Sequence, residues 1–238
     1  MFKQALAGIG LMAVAVSAQA DYQCSVNPQD DVVINPQSVQ LTGKNGNLII
    51  APDGSVQFNG VAKSLTAAQR QQAITYQQTL RSDLSWINNG ARQRVDRGRV
   101  ALDRIIAREV GENSKMRSRL TQLDSQLKKQ MNRIIEQRSD GLTFHYQAIN
   151  QVRNDGQQLV NQAMGAILQD SINEMGAKAM SGGGNPLQNV LGSLGGLQTA
   201  IQSEWKNQQT DFQTFGRDVC QKVVTLEGQR KALVSSLK

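Results

Sequence analysis

The stretch TAAQRQQAITYQQTLRSDLSWINNGARQRVDRGRVALDRIIAREV, residues 66–110, decides the fold. It contains no proline, and its apolar residues return every three or four positions: Tyr76, Leu80, Leu84, Ile87, Ala91 and Val95, then Leu102, Ile105, Ile106 and Val110. That period forms one face of an α-helix. Ser64 or Thr66 can cap its start, and Thr66 followed by Gln69 has the spacing of a capping box, in which each residue satisfies a free backbone N–H of the other. An unbroken helix over this stretch is about 65–70 Å long at 1.5 Å per residue. Such a rod does not fit inside a ball made from 238 residues, so the molecule is expected to be elongated.

Downstream, Gly111-Glu112-Asn113-Ser114 reads as a stop and restart, a glycine after one helix and Asn113 or Ser114 as the cap of the next. Met116, Leu120, Leu123, Leu127, Met131 and Ile134 or Ile135 resume the spacing, and Ser139-Asp140-Gly141 ends the return helix. Two amphipathic helices joined so closely are expected to fold back as a long antiparallel hairpin with a coiled-coil-like seam. Leu142, Phe144 and Tyr146 alternate and suggest a strand, and Asp155 can cap a third helix carrying Leu159 to Met175. The glycines of 181–196 read as a linker, followed by a last helix over 197–238. Trp86 and Trp205 are expected to be core anchors.

Upstream, Val32-Val33-Ile34, Val39 with Leu41, Leu48-Ile49-Ile50 and Val56 with Phe58 are short runs separated by turn chemistry at Asn35-Pro36, Gly43-Lys44-Asn45-Gly46 and Pro52-Asp53-Gly54. They predict a small antiparallel β meander within 21–63, whose strands are too short to stand without helical cover. The fold class is thus mainly α, an elongated α+β chain whose helical hairpin and third helix occupy 64–180.

Lys3, the apolar run from Ala5 to Val16 and the site Ala18-Gln19-Ala20 have the anatomy of a secretory signal peptide. The run is too short to span a bilayer, and no later stretch of the sequence is long and apolar enough to do so. The expectation is a periplasmic protein cleaved after Ala20. In an oxidising compartment the only two cysteines, Cys24 and Cys220, are expected to form a disulfide.

The chain has one histidine, His145, and no G-x-S-x-G, nucleotide, calcium or haem signature. A Ser-His-Asp arrangement has no seat, and one histidine with two distant thiols cannot complete a zinc shell. The reading is therefore non-enzymatic, with no cofactor and no metal.

Charge is the sharpest clue. Residues 92–138 hold thirteen basic and six acidic side chains, while the whole chain carries +7. The candidates for meeting an anionic partner are Arg97, Arg99, Arg104, Arg108, Lys115, Arg117, Arg119, Lys128 and Lys129, gathered in the hairpin reading near the turn at 111–114. The excess reads in two ways, as a solvated helical surface or as a field that draws anions. Nucleic acid is not expected, because the compartment lacks it and the window has no aromatic residue for stacking. The partners in view are anionic lipid head groups, lipopolysaccharide or unfolded outer-membrane proteins. One reading is an envelope protein that binds or spaces such a partner. Alternatives are a holdase for unfolded clients, which needs apolar residues left exposed on the helices, and an anionic membrane-surface binder.

Asp21-Tyr22-Gln23-Cys24, the turn Ile50-Ala51-Pro52-Asp53-Gly54-Ser55, Ser64-Leu65-Thr66-Ala67-Ala68-Gln69-Arg70 and Phe215-Gly216-Arg217-Asp218-Val219-Cys220 together resemble the enterobacterial YggN-type family of periplasmic proteins, a domain of unknown function. The resemblance spans nearly all of 21–238. It implies a periplasmic location and supplies no activity or site residues. In outline, a small β body with basic helical arms is also similar to chaperones of the Skp type, a likeness of shape that does not fix function.

Overall fold

The computed structural model describes residues 24–181 and 186–237. The expected signal at 1–20 lies outside them, as do 182–185 of the expected linker. The order is β1 (Asp30–Asn35), β2 (Ser38–Gly43), β3 (Leu48–Ile50), β4 (Val56–Phe58), β5 (Val61–Ala62), α1 (Ala67–Glu109), α2 (Lys115–Ile134), β6 (Ile135–Arg138), β7 (Gly141–Phe144), α3 (Ala148–Ser181) and α4 (Pro186–Ser236). The chain is mainly helical, with an N-terminal antiparallel sheet.

The meander forms where the sequence places it, and the sheet then grows beyond it. Its seven strands lie in the order β5-β4-β3-β2-β1-β7-β6. Leu142 and Phe144 lie on β7 and pair with Ile34 and Val32 of β1, so the alternation there does mark a strand. The return helix, however, stops at Ile134 rather than at 139, because Ile135 to Arg138 pair with β7 as a hairpin turning at Gly141. Gly141 has φ +153 and its α-hydrogen faces Ile34 O, where a Cβ would stand 1.9 Å away, so only glycine fits.

α1 starts as its sequence dictates, with Thr66 as N-cap and the full capping box to Gln69. It ends at Gly111, whose φ of +124 and N–H bond to Ile106 O turn the chain, and Ser114 caps α2. α3 begins at Ala148, seven residues before the expected cap; Asp155 lies inside the helix and pairs with Arg133 instead. α4 begins at Pro186, so part of the expected linker is helical, with proline at the first helical position where its missing N–H costs nothing.

Long-range pairs give the helix directions. Between α1 and α4, Gln69 meets Ser236, Asp83 meets Lys222, Gly90 meets Phe215, Arg94 meets Asp211 and Gly98 meets Gln208. Each step forward along α1 is matched by an equal step back along α4, so the two run antiparallel in constant register. Lys115 with Glu174, Arg119 with Asp170 and Arg133 with Asp155 do the same for α2 and α3. The helix that returns along nearly the whole of α1 is therefore α4, and α2 pairs along its length with α3.

The described residues form two separate apolar cores. One lies under the sheet, where Val39 and Ile50 meet Ala73, Tyr76 and Leu80 of α1 and Leu226 and Leu233 of α4. The other lies at the far end and draws on all four helices: Ile106 and Val110, Met116 and Leu120, Ile167, and Leu197 with Ile201. Between Leu84 and Ile106 on α1, Leu120 and Ile135 on α2, Val152 and Ile167 on α3, and Ile201 and Phe215 on α4, no apolar side chain is buried. Trp86 and Trp205 are not the core anchors expected, being 39% and 41% exposed.

Candidate functional site

Carboxylates from within the basic window and from α3 and α4 meet its cations. Arg117 forks onto Asp103 through Nε–Oδ1 at 2.8 Å and Nη2–Oδ2 at 2.9 Å and also reaches Glu112. Arg119 pairs with Asp170 of α3, Arg108 with Glu109, and Lys128 with Asp96 and Asp124. Arg97 and Arg94 share Asp211 of α4, at 2.7 and 3.2 Å. These charged hydrogen bonds favour the ionised forms: Arg117 holds the Asp103 carboxyl below its ordinary value, Arg119 does so for Asp170, and Asp96 with Asp124 pushes the Lys128 ammonium up.

Of the nine predicted cations, five are thus engaged with carboxylates. The side chains of Arg99, Arg104, Lys115 and Lys129 make no hydrogen bond or ion pair among the described residues; Arg104, Lys115 and Lys129 are exposed and Arg99 is half-buried. The pairing moves the field. Around the α1–α2 turn, Arg104, Arg108, Lys115, Arg117 and Arg119 stand with Asp103, Glu109, Glu112, Asp170 and Glu174, so the described side chains balance there and the expected basic end is corrected. The surplus lies in the middle section, where Arg92, Arg94, Arg97, Arg99, Lys128, Lys129, Arg133, Arg153 and Lys206 stand with Asp96, Asp124, Asp155, Glu204 and Asp211.

That same section is the one without a buried core. Val95, Leu123, Leu127, Met131, Leu159 and Val160 are only half-buried in it, and Trp205 and Phe212, one above the other at i and i+7 on α4, are 41% and 42% exposed. Nearer the far end of the helices, Leu168 and Ile172 of α3 are also exposed. The sequence does not flag these four, because an apolar residue at helical spacing reads as core unless the neighbouring helix is known to leave it uncovered.

The expected disulfide between Cys24 and Cys220 is present and ties the start of the sheet region to α4 across 196 positions. Beside it Trp86 lies against Phe215, ring centroids 5.1 Å apart, with Lys222 4.9 Å over the indole. His145 stands between Asp31 at 3.6 Å and Glu136 at 3.7 Å in an open polar groove of about 540 Å³. The two carboxylates face opposite nitrogens of its ring, so one ion cannot bind all three groups. No group of three or more His, Cys, Asp or Glu that could hold a metal is found among the described residues, nor is any helix there long and apolar enough to cross a membrane.

A family model described as a protein of unknown function, DUF2884, matches residues 24–238. The chain belongs to this family. It is 67% identical over 239 residues to the uncharacterised protein YggN of Escherichia coli strain K12, covering all of both chains, and equally similar to its counterpart in strain O157:H7. No solved structure matches it. The family match runs from Cys24 through the whole helical region, so the sheet, the four helices and both cysteines fall within one family unit.

Proposed function

We propose that the protein is a non-enzymatic component of the bacterial envelope, exported with cleavage after Ala20, whose basic helical body binds an anionic partner. The observation that carries the reading is the charge surplus of the middle section, where nine cations stand beside five carboxylates. Ion pairing accounts for the fold-holding share of the basic residues, and Arg99 and Lys129 are left with no bond to a described side chain. A concentrated field of this kind speeds encounter with an anionic partner and makes it salt-sensitive. The Cys24–Cys220 bond supports export, since such bonds persist in oxidising compartments.

The holdase alternative gains from Leu168, Ile172, Trp205 and Phe212, the exposed apolar residues on helices that it requires. The experiment for the general reading is in-cell photo-crosslinking from Gln122, an exposed position on α2. A defined adduct, protein or lipid, that is lost in Arg99→Glu/Lys129→Glu is the expected result. A blank under several growth conditions overturns partner binding.

A further inference from the structure

We infer that the coreless middle of the helical body, marked by Trp205 and Phe212, docks an extended, non-native polypeptide segment carrying apolar and acidic residues. The inference rests on the partner-binding reading above and names the class of partner and its place.

Two observations meet in this section. Apolar side chains at interior spacing on three helices, Val95, Leu127 and Leu159 among them, stay half-buried, and two aromatic rings on α4 are about two-fifths exposed. Monomeric proteins rarely leave apolar surface open in this way without a partner for it. The same section holds the surplus of cations, so what covers it is complementary if it is apolar and acidic together. Phe212 and Trp205 are seven residues apart, about 10 Å along the helix, and the section without a core runs about 30 Å between Leu84 and Ile106. That is the span of roughly nine residues of extended chain.

Other occupants fit less well. A single lipid is held in an enclosed apolar cavity that covers most of it, whereas the described grooves, at about 540 and 410 Å³, stand open to solvent. A flat bilayer has to meet rings and cations on one plane. The exposed Arg97 reaches α4 at Asp211, which lies about 100–120° round that helix from Phe212 and Trp205. An extended chain can follow an uneven, half-open face and meet both.

The test uses the full chain with Trp86→Phe, so that Trp205 alone reports. The probe is a fluorescein-labelled 15-residue synthetic peptide alternating Leu or Phe with Asp and Gly. Its controls are a peptide with Ser in place of Leu and Phe, and phosphatidylglycerol vesicles. The expected result is saturable binding of the first peptide with a blue shift of Trp205 emission. Phe212→Asp is expected to weaken it at least tenfold, and Arg99→Glu/Lys129→Glu to weaken it and flatten its salt dependence. All three positions lie outside both cores, and circular dichroism and melting establish that the variants fold; Val224→Asp, an exposed apolar site elsewhere on α4, is expected to bind as the parent does. No peptide binding, equal binding of the serine peptide, indifference to Phe212→Asp, or a Trp205 shift with vesicles alone overturns the inference. If the peptide fails while Gln122 still crosslinks to a folded protein or to a lipid, only this inference falls. If both fail, the partner-binding reading falls with it.

Discussion

Phe215 of α4 occupies the space that a side chain on Gly90 of α1 would need. A Cβ on Gly90 would come within 2.7 Å of the ring edge, and Arg94, one turn further on, lies 4.0 Å above the ring's centroid. The contact fixes how closely α1 and α4 approach at the border between the sheet-side core and the open middle section. It also places Trp86 against Phe215 and, over the indole, Lys222, whose ammonium reaches the buried Asp83 at 2.7 Å.

Gly90→Ala is therefore expected to destabilise the protein by about 1–2 kcal/mol, since the ring and both helices must give way. Gly98→Ala tests the same change eight residues on, where the nearest atom to a new Cβ is Gln208 at 3.7 Å. There, removing a helical glycine is expected to stabilise by about 0.5–1 kcal/mol. Urea unfolding of the two variants gives opposite signs if the register between α1 and α4 is as described.

Lys222→Met is expected to cost roughly 3 kcal/mol, because it leaves the Asp83 carboxylate in a buried position without its partner. Pairing it with Asp83→Leu removes the stranded charge and is expected to restore most of the loss. A double-mutant cycle read by urea midpoint checks this, and strict additivity of the two changes contradicts it.

Breaking the Cys24–Cys220 bond, by reductant or by Cys220→Ser, is expected to lower stability by about 2–5 kcal/mol. The bond links positions 196 apart, so it restricts nearly the whole unfolded chain. Thermal melts with and without reductant measure the loss, and Cys220→Ser is expected to show no further change on adding reductant.

Acid is expected to weaken the fold. Asp103, Asp170 and Glu227 are each held below their ordinary values by an arginine hydrogen bond, from Arg117, Arg119 and Arg230. Such a group stays ionised when folded at a pH where the unfolded chain already takes up a proton. Its contribution is thus complete above about pH 4.5 and drains as the pH falls through the lower folded value. Asp170→Asn is expected to make the decline of urea midpoint below that pH shallower, and an unchanged slope removes Asp170 from the account.

Much of this architecture is local and therefore legible in the residues. The capping box at Thr66 and Gln69, the stop at Gly111, the cap at Ser114 and the strand runs from Val32 to Phe58 depend on neighbours a few positions away. The choice of Cys24 and Cys220 needed no structure either, since the chain offers no other pair. The candidate site was legible only in part, because the basic window could be counted but its counter-ions could not be placed.

What the residues alone determined is which segments turn, extend or coil, because propensity, capping and hydrophobic period act within a few residues. What only the tertiary structure decided is who meets whom. Ile135 continues the helical stripe of α2 and becomes a strand because β7, itself paired to β1, offers it a ladder. Asp155, Asp170 and Asp211 neutralise arginines 22 to 117 positions away, and so shift the positive surplus from the turn to the middle of the helices. Trp205 and Phe212 sit at core spacing yet stay exposed, since burial depends on whether another helix passes over that face, a fact that no period along a single helix contains.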